Sequence, residues 1–137
     1  MTSKQYLRQI QTLNRHIDGL IAEKDRLTAI AEGISGVSYD SIKVQSARVT
    51  AGNRQTDAVY KLIDLEERIT AEIDRYVDMR EEAAIRIDRL PLANERAVLR
   101  YRYLCDMKWE DIAEKMNYSL MQLHRIHARA LTNFIMP

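Results

Sequence analysis

The stretch DMKWEDIAEKMNYSLMQLHRIHARALTNF, residues 106–134, decides the fold of the C-terminal part of this chain. Its apolar spacing predicts two short helices, at about 109–116 and 120–134, with a break between them. Asn117 in the break is, after glycine, the residue that best accepts the left-handed backbone of a tight turn. Ser119 is a favourable N-cap for the second helix. This spacing is typical of a helix-turn-helix.

The inner side of these two helices is apolar. Ile112 and Ala113 face inward from the first helix, and Leu123 and Ile126 face inward from the second. A small residue is needed at Ala113 because the two helices cross closely there. We therefore expect a compact pair of helices with one polar outer side.

The outer side of the second helix carries residue types that read DNA. A glutamine can bond adenine through two hydrogen bonds, an arginine can bond guanine or a phosphate, and a methionine can touch a thymine methyl group. The amides at the start of the helix can approach a phosphate, and the first helix can hold the DNA backbone through a lysine. The predicted DNA-binding residues are Lys115, Ser119, Met121, Gln122, His124, Arg125 and Arg129. The alternative is a merely solvated face, and the combined spacing favours DNA binding.

The charges are unevenly distributed, although the formal net charge is only +1 at pH 7. Residues 58–90 hold nine acidic and six basic residues, whereas residues 91–137 hold seven basic and five acidic residues. From Ser119 onward there are two arginines, two histidines and no acid. A polyanion would therefore prefer the C-terminal end of the chain.

Two long helices are predicted before the helix-turn-helix, at about 4–32 and 58–90. Gly33 and Gly36 end the first, and residues 33–56 are predicted to form a long connection. Both helices repeat seam residues at spacings of four and three, as helices packed lengthwise do. The first seam is Tyr6, Ile10, Leu13, Ile17, Leu20, Lys24, Leu27 and Ala31. The second is Leu62, Glu66, Ile69, Ile73, Tyr76, Arg80, Ala83, Ile87 and Leu90, after which Pro91 ends the helix.

The whole chain is predicted to be all-α, because it contains 4 glycines and 2 prolines among abundant helix-forming residues. We expect a long antiparallel, coiled-coil-like helical hairpin over residues 1–90 and a small helix-turn-helix domain over residues 91–137. Val59, Ile63, Val77 and Ala84 widen the apolar stripe of the second helix beyond what one partner covers. We therefore expect a homodimer or higher homo-oligomer, the alternative being a monomer whose hairpin packs on its own C-terminal domain.

The segment ERAVLRYRYLCDMKWEDIAEKMNYSLMQLHRIHARAL, residues 95–131, resembles the region-four-type helix-turn-helix of bacterial sigma factors. It resembles the variant of this motif found in small phage and prophage proteins, among them late-gene transcriptional activators. This resemblance is carried by LRYRYL, by Trp109, by YS at 118–119 and by LHRIHARAL, while VYKLIDLEERITAEIDR in the second long helix resembles the same proteins. The resemblance implies binding of double-stranded DNA in transcription control. The positions matching base readers are Met121, Gln122, His124 and Arg125.

The sequence departs from this family at several positions. Asp106 and Lys108 stand where the family has glycine and then serine or threonine, so the first short helix loses its usual cap. Asn117 replaces the common turn glycine, and Met121 stands where sigma factors hold a charged base reader. No segment resembles the sigma-factor region that melts promoters, so a complete sigma factor is not expected.

Several other functions are not expected. The sequence has no phosphate-binding glycine loop, nucleophile motif or catalytic triad pattern, so we expect neither an enzyme nor a cofactor. His124 and His127 lie one helical turn apart, but no cysteine or carboxylate lies close in sequence to complete a metal site. No apolar run spans a membrane and no signal peptide is evident, so the cytoplasm of a bacterial host cell is expected. Cys105 is expected to be a buried or half-buried, inert thiol.

Two rival functions remain open. One is a DNA-packaging subunit resembling small terminase proteins, which also join a helix-turn-helix to oligomerising helices. The other is an interaction protein that acts on RNA polymerase or on a host defence factor through the helical hairpin. The size of the oligomer separates the packaging subunit from the regulator, because packaging subunits form rings of many copies.

Overall fold

The computed structural model describes residues 1–33 and 45–137, with side chains described for 1–33 and 54–137. The described residues form five α-helices, one π-helical turn and no strand, so the all-α prediction is confirmed. The α-helices are α1 (Ser3–Ala31), α2 (Gln45–Asp88), α3 (Ala93–Leu99), α4 (Trp109–Met116) and α5 (Leu120–Asn133). Two long helices thus precede a small C-terminal helical domain, as predicted. None of the described helices has an apolar stretch long enough to cross a bilayer.

The predicted bounds of the helices are close to those of the structure except at the start of α2. This helix begins at Gln45, so the prediction that it starts after Thr56 is wrong. Residues 45–56 contain one glycine, Gly52, and no proline. A single glycine costs a helix about 1 kcal/mol, which a helix of this length tolerates. The rest of the predicted connection, residues 34–44, lies outside the described residues.

The described residues form two compact units. One unit consists of residues 16–73, and the other combines residues 1–15 with residues 74–137. Both α1 and α2 therefore contribute to each unit. The predicted helix-turn-helix belongs entirely to the second unit.

In the unit of residues 16–73, α1 and α2 run antiparallel. Leu20 of α1 packs in one cluster with Leu65 and Ile69 of α2, and these three side chains are buried. Further along α1, Lys24 Nζ lies 3.9 Å from Glu66 Oε1. The pairing within this unit is therefore a narrow apolar strip with an ion pair at its edge.

The buried face of α2 in this unit differs from the predicted seam. Leu65 is buried in place of Glu66, and Ile73, which was predicted to lie in the seam, is 40% exposed. A straight α-helix has 3.6 residues per turn, so buried positions drift away from a strict seven-residue repeat. The drift turns part of the predicted seam toward solvent.

In the second unit, α1 and α2 pack on the C-terminal helices. Leu7 and Ile10 of α1 share a core cluster with Ala83 and Ile87 of α2, and Phe134, just after α5, lies in the same cluster. Gln11, buried beside them, donates a hydrogen bond of 2.8 Å from its Nε2 to the carbonyl of Arg102. The start of α1 is thereby attached to the C-terminal domain.

A second core cluster of this unit belongs to the helix-turn-helix itself. Its buried members come from α3, α4 and α5 and are Val98, Ile112, Ala113, Leu123 and Ile126. Partly buried aromatic and methionine side chains surround them. The four inward-facing residues predicted from the sequence are therefore confirmed as core residues.

A π-helical turn, Arg100–Leu104, directly continues α3. The wider winding buries Tyr103 and Leu104, and Asp106 then adopts a positive φ of 51°. This change of direction leaves Cys105 exposed. The expectation of a buried or half-buried thiol was wrong, because it assumed that the side chain of Cys105 faces the core together with its apolar neighbours.

Candidate nucleic-acid interface

The turn between α4 and α5 is built around Asn117. Its φ of 58° and ψ of 44° place it in the left-handed region, as predicted. The amide of Tyr118 donates to the carbonyl of Ala113 at 3.0 Å, and the amide of Asn117 donates to the carbonyl of Glu114 at 3.2 Å. This pair of bonds is a Schellman motif, which satisfies two carbonyls at the end of α4. The turn therefore holds the start of α5 at a fixed angle.

The start of α5 is closed by a capping box. The Ser119 hydroxyl accepts a hydrogen bond of 3.2 Å from the amide of Gln122, and Gln122 Oε1 accepts one of 3.1 Å from the amide of Ser119. Sequence reasoning predicted the cap by Ser119 but missed the reciprocal bond, although the Ser-x-x-Gln spacing signals it. The start of α4 has no side-chain cap at Lys108, as the departures from the family pattern predicted.

The two faces of α5 separate as the sequence predicts. Its buried residues are Leu123, Ile126, His127 and Ala130. The predicted DNA-binding residues on this helix are all exposed, namely Met121, Gln122, His124, Arg125 and Arg129. Lys115 on α4 and Ser119 before α5 are exposed as well. All seven predicted residues are thus accessible to a partner.

The exposed residues of α5 make few contacts with the rest of the protein. Arg125 Nη2 lies 3.7 Å from Met121 Sδ, so these two side chains run together along the helix. Gln122, Arg125 and Arg129 line one side of a groove of about 640 Å³, to which Asn94 of α3 also contributes. Sequence reasoning missed Asn94 because it belongs to another helix.

Lys115 is placed on the outer side of α4. Its Nζ lies 5.4 Å from the centroid of the Tyr101 ring, a distance at which the ammonium and the ring attract each other. No ion pair is formed by Lys115 in the part of the chain that the structure describes. Its charge is therefore available to an anion.

A cluster of rings supports the other edge of α5. The Trp109 ring lies 4.9 Å from the His124 ring and 4.6 Å from the His127 ring, measured between centroids. His127 Nε2 shares a hydrogen bond of 2.8 Å with the Tyr103 hydroxyl. His127 is therefore a packing residue of this ring cluster. His124 is held at the edge of the outer face by its contact with Trp109.

Burial changes the protonation of this cluster. Desolvation, together with the nearby positive charges of Lys4, His124, Arg102 and Arg8, lowers the pKa of His127 to about 4. Burial also raises the pKa of the Tyr103 hydroxyl. Both groups are therefore neutral near pH 7, and their hydrogen bond positions α5 without adding charge.

The comparison with known families identifies this part of the chain. Residues 87–133 match the family Sigma-70, region 4. They form a region-4-type domain, that is, a DNA-binding helix-turn-helix, so the resemblance of residues 95–131 to region four of sigma factors is confirmed. Nearly all of α1 and α2 lies outside the match. No curated protein and no solved structure is detectably similar to the chain.

Proposed function

We propose that the protein binds specific sites in double-stranded DNA and regulates transcription, with α5 as its recognition helix. The observation that carries the proposal is the exposed face of α5 in a region-4-type domain. Met121, Gln122 and Arg125 lie in the first two turns of that helix, where helix-turn-helix proteins contact base edges. His124 and Arg129 flank them, and Lys115 and the capped start of α5 are suited to phosphates.

The roles proposed for individual residues follow from their chemistry. Arg125 is the candidate for a guanine contact, since its guanidinium can donate two hydrogen bonds to one base. Arg129, one turn later, is better placed for a phosphate. Gln122 can donate from its amide nitrogen to a base while its Oε1 remains in the capping box. We propose no catalytic role for any of these residues.

The proposed setting is a bacterial cell, with phage or prophage genes as targets. This setting rests on the resemblance of residues 95–131 and of part of α2 to small phage activators. A second candidate function, action on RNA polymerase or a host defence factor through α1 and α2, is favoured by the apolar residues that α2 leaves exposed. A packaging subunit remains the alternative that predicts large rings.

We further propose that the protein acts as a homodimer formed through α2. Val59, Ile63, Ile73 and Val77 are 44%, 49%, 40% and 52% exposed. These four residues belong to a stripe of positions, 59, 63, 66, 70, 73 and 77, that repeats at spacings of four and three. Such a stripe suits a second helix packed lengthwise on α2. Covering this apolar surface is favourable by roughly 25 cal/mol per Å². A dimer would also supply two recognition helices for two half-sites.

Light scattering of the full-length chain at micromolar concentration tests this association. We expect twice the mass of 16.0 kDa that one chain has. Replacing Ile63 and Val77 by Glu should return the protein to a monomer, whereas replacing Ala71, which is exposed and lies off this stripe, by Glu should not. A ring of many copies would favour the packaging subunit, and a monomeric parent protein would refute the dimer.

Selection of bound fragments from genomic DNA tests the proposed function, followed by fluorescence-anisotropy titration on the selected site and a scrambled one. Arg125→Ala should cost about 1–3 kcal/mol on the selected site and less on the scrambled one, because a base contact is lost. Arg129→Ala and Lys115→Ala should weaken binding to both sites equally. A parent protein that binds no duplex would refute the proposal.

Gln122 needs a separate control because it also caps α5. Gln122→Ala removes both the cap and any base contact. Gln122→Glu keeps an oxygen that can accept from the amide of Ser119, but it loses the amide donor. If Gln122 reads a base, both variants should lose preference for the selected site, and only Gln122→Ala should also lower the melting temperature. Unchanged preference in Gln122→Glu would restrict Gln122 to the cap.

A further inference from the structure

A second basic groove lies in the unit of residues 1–15 and 74–137, and of its lining residues only Arg102 belongs to the region matched by the family. It encloses about 250 Å³. The residues that line it are Arg8, Gln11, Thr12, Arg15 and Arg102. Three guanidinium groups, a hydroxyl and a carboxamide thus meet in one place, and none of the five side chains is apolar.

Arg102, which lines this groove, is held in position by contacts with three other residues. Gln11 donates to its carbonyl at 2.8 Å, and Arg102 Nη1 donates to the carbonyl of Met107 at 3.0 Å. The Arg102 guanidinium carbon lies 4.6 Å from the centroid of the Trp109 ring. An arginine fixed by these contacts loses little further freedom when it binds an anion.

The other two arginines of the groove are little neutralised. Arg8 forms no ion pair within the part of the chain that the structure describes. Arg15 Nη2 lies 3.7 Å from Asp106 Oδ1, and 67% of the Arg15 side chain is exposed. Residues 1–17 contain no acid, and Asp106 is the carboxylate that pairs with Arg15. The groove therefore attracts anions.

Two side-chain contacts connect a residue of the groove with one edge of α5. Arg102 lies over Trp109, and the Trp109 ring lies 4.9 Å from the ring of His124 on the exposed edge of α5. A ligand that lies along α5 can therefore extend past these rings to the arginines of α1. Arginine guanidinium groups match phosphate oxygens in geometry and charge.

We propose that this groove binds the phosphate backbone of the same DNA duplex, next to the bases that α5 reads. This inference rests on the proposed function. Arg8 and Arg15 of α1, with Arg102, hold phosphates that flank the recognition site. Such contacts position the protein on the duplex and carry no sequence information. The first helix is thus part of the DNA-binding surface, in addition to its place in the core.

The test uses the full-length chain with Arg8→Gln and Arg15→Gln combined, titrated by fluorescence anisotropy at several salt concentrations. Affinity should fall by about 10-fold or more on both the selected and the scrambled site, and the salt slope should decrease by about 2, one for each lost phosphate contact. Arg26→Gln combined with Arg89→Gln removes the same charge from exposed positions that do not line the groove. This control should change affinity by less than about 2-fold.

A variant that is expected to bind DNA more tightly distinguishes a lost phosphate contact from a loss of folding, because a misfolded protein would not gain affinity. Asp106→Asn removes the carboxylate beside Arg15, and asparagine tolerates the positive φ of this residue. It should tighten binding to both sites by a few fold. Circular dichroism and Trp109 fluorescence of every variant should match the parent protein.

Phosphate-ethylation interference locates the contact on the DNA. In the parent protein, ethylation of phosphates at one edge of the selected site should weaken binding, and the Arg8→Gln, Arg15→Gln variant should lose sensitivity at those phosphates only. If this variant behaves like the control pair while Arg125→Ala still loses site preference, the groove proposal fails and the proposed function stands. If the parent protein binds no duplex, both proposals fail.

Discussion

The helix-turn-helix and the paired helices of residues 16–73 bury their apolar residues in different ways. Leu123 of α5 is completely buried, with residues of α3 and α4 in the same cluster. Leu20 and Leu65 lie in a strip between two helices, and Val59 and Ile63 on the same length of α2 are exposed. Three short helices therefore enclose a core, whereas two long ones only share a seam.

This difference teaches where the chain can be altered. A side chain enclosed from all sides leaves a cavity when it is shortened, because its neighbours cannot all move in. A side chain at a two-helix seam borders solvent, so the helices can adjust around the change. The enclosed region is also the one assigned to the DNA-binding family, which needs a fixed geometry to read bases.

The largest effect is expected from Leu123→Ala. It should lower the free energy of unfolding by roughly 2–5 kcal/mol, because it opens a cavity among Val98, Ile112 and Ile126. Leu65→Ala at the seam should cost less, about 1 kcal/mol. Urea unfolding should be followed at one protein concentration, since self-association would add to the apparent stability.

Two signals separate the regions in this experiment. Trp109 is the only tryptophan, so its fluorescence reports on the helix-turn-helix, while circular dichroism reports on all the helices. Leu123→Ala should shift the fluorescence midpoint most. An equal loss of stability in Leu65→Ala would contradict the comparison. It would mean that the seam is enclosed as fully as the core, for example by a second copy of the chain packed on α2.

The next largest effect is expected when the stability of the helix-turn-helix is measured as a function of pH. The pKa of His127 is lowered to about 4 in the folded protein, below the ordinary value of about 6.5. As the pH falls, His127 is protonated in the unfolded chain before it is protonated in the folded protein, which favours unfolding. The contribution of His127 to the free energy of unfolding is therefore complete above pH 6.5 and is lost as the pH falls toward 4. At pH 5 the loss should be about 2 kcal/mol.

The measurement is urea unfolding at pH 7 and pH 5, followed by Trp109 fluorescence, with His127→Gln as the control. Glutamine stays neutral at both pH values and can still bond the Tyr103 hydroxyl. The parent protein should lose about 2 kcal/mol more than His127→Gln on acidification. If both lose the same amount, other groups, not His127, cause the acid sensitivity.

Local sequence patterns were sufficient to predict most of the C-terminal fold. The helix bounds, the turn at Asn117 and the cap at Ser119 depend on residues a few positions apart, so spacing alone reveals them. The same holds for the buried face of α5. The exposure of the predicted DNA-binding residues follows from that face.

Features that depend on distant residues were not predicted. Glu95 is completely buried and accepts a hydrogen bond of 3.2 Å from Asn133 Nδ2, 38 residues further along the chain. The groove of Arg8, Arg15 and Arg102 joins two parts of the chain whose positions only the packing determines. The π-helical turn also had no local signal, and without it the direction of Cys105 could not be inferred.

The smallest effects compare one backbone position in each region. Asn117 has a positive φ of 58°, so Asn117→Ala should destabilise the helix-turn-helix by about 1 kcal/mol, while Asn117→Gly should be neutral or stabilising by a few tenths. Gly19 lies inside α1, and a Cβ there would meet no atom within 4 Å. Gly19→Ala should therefore stabilise the paired helices by roughly 0.5–1 kcal/mol. Alanine should therefore lower the unfolding midpoint measured by fluorescence when it replaces Asn117, and raise the midpoint measured by circular dichroism when it replaces Gly19. A destabilising Gly19→Ala would mean that a second chain packs against this side of α1, because the position is open within a single chain.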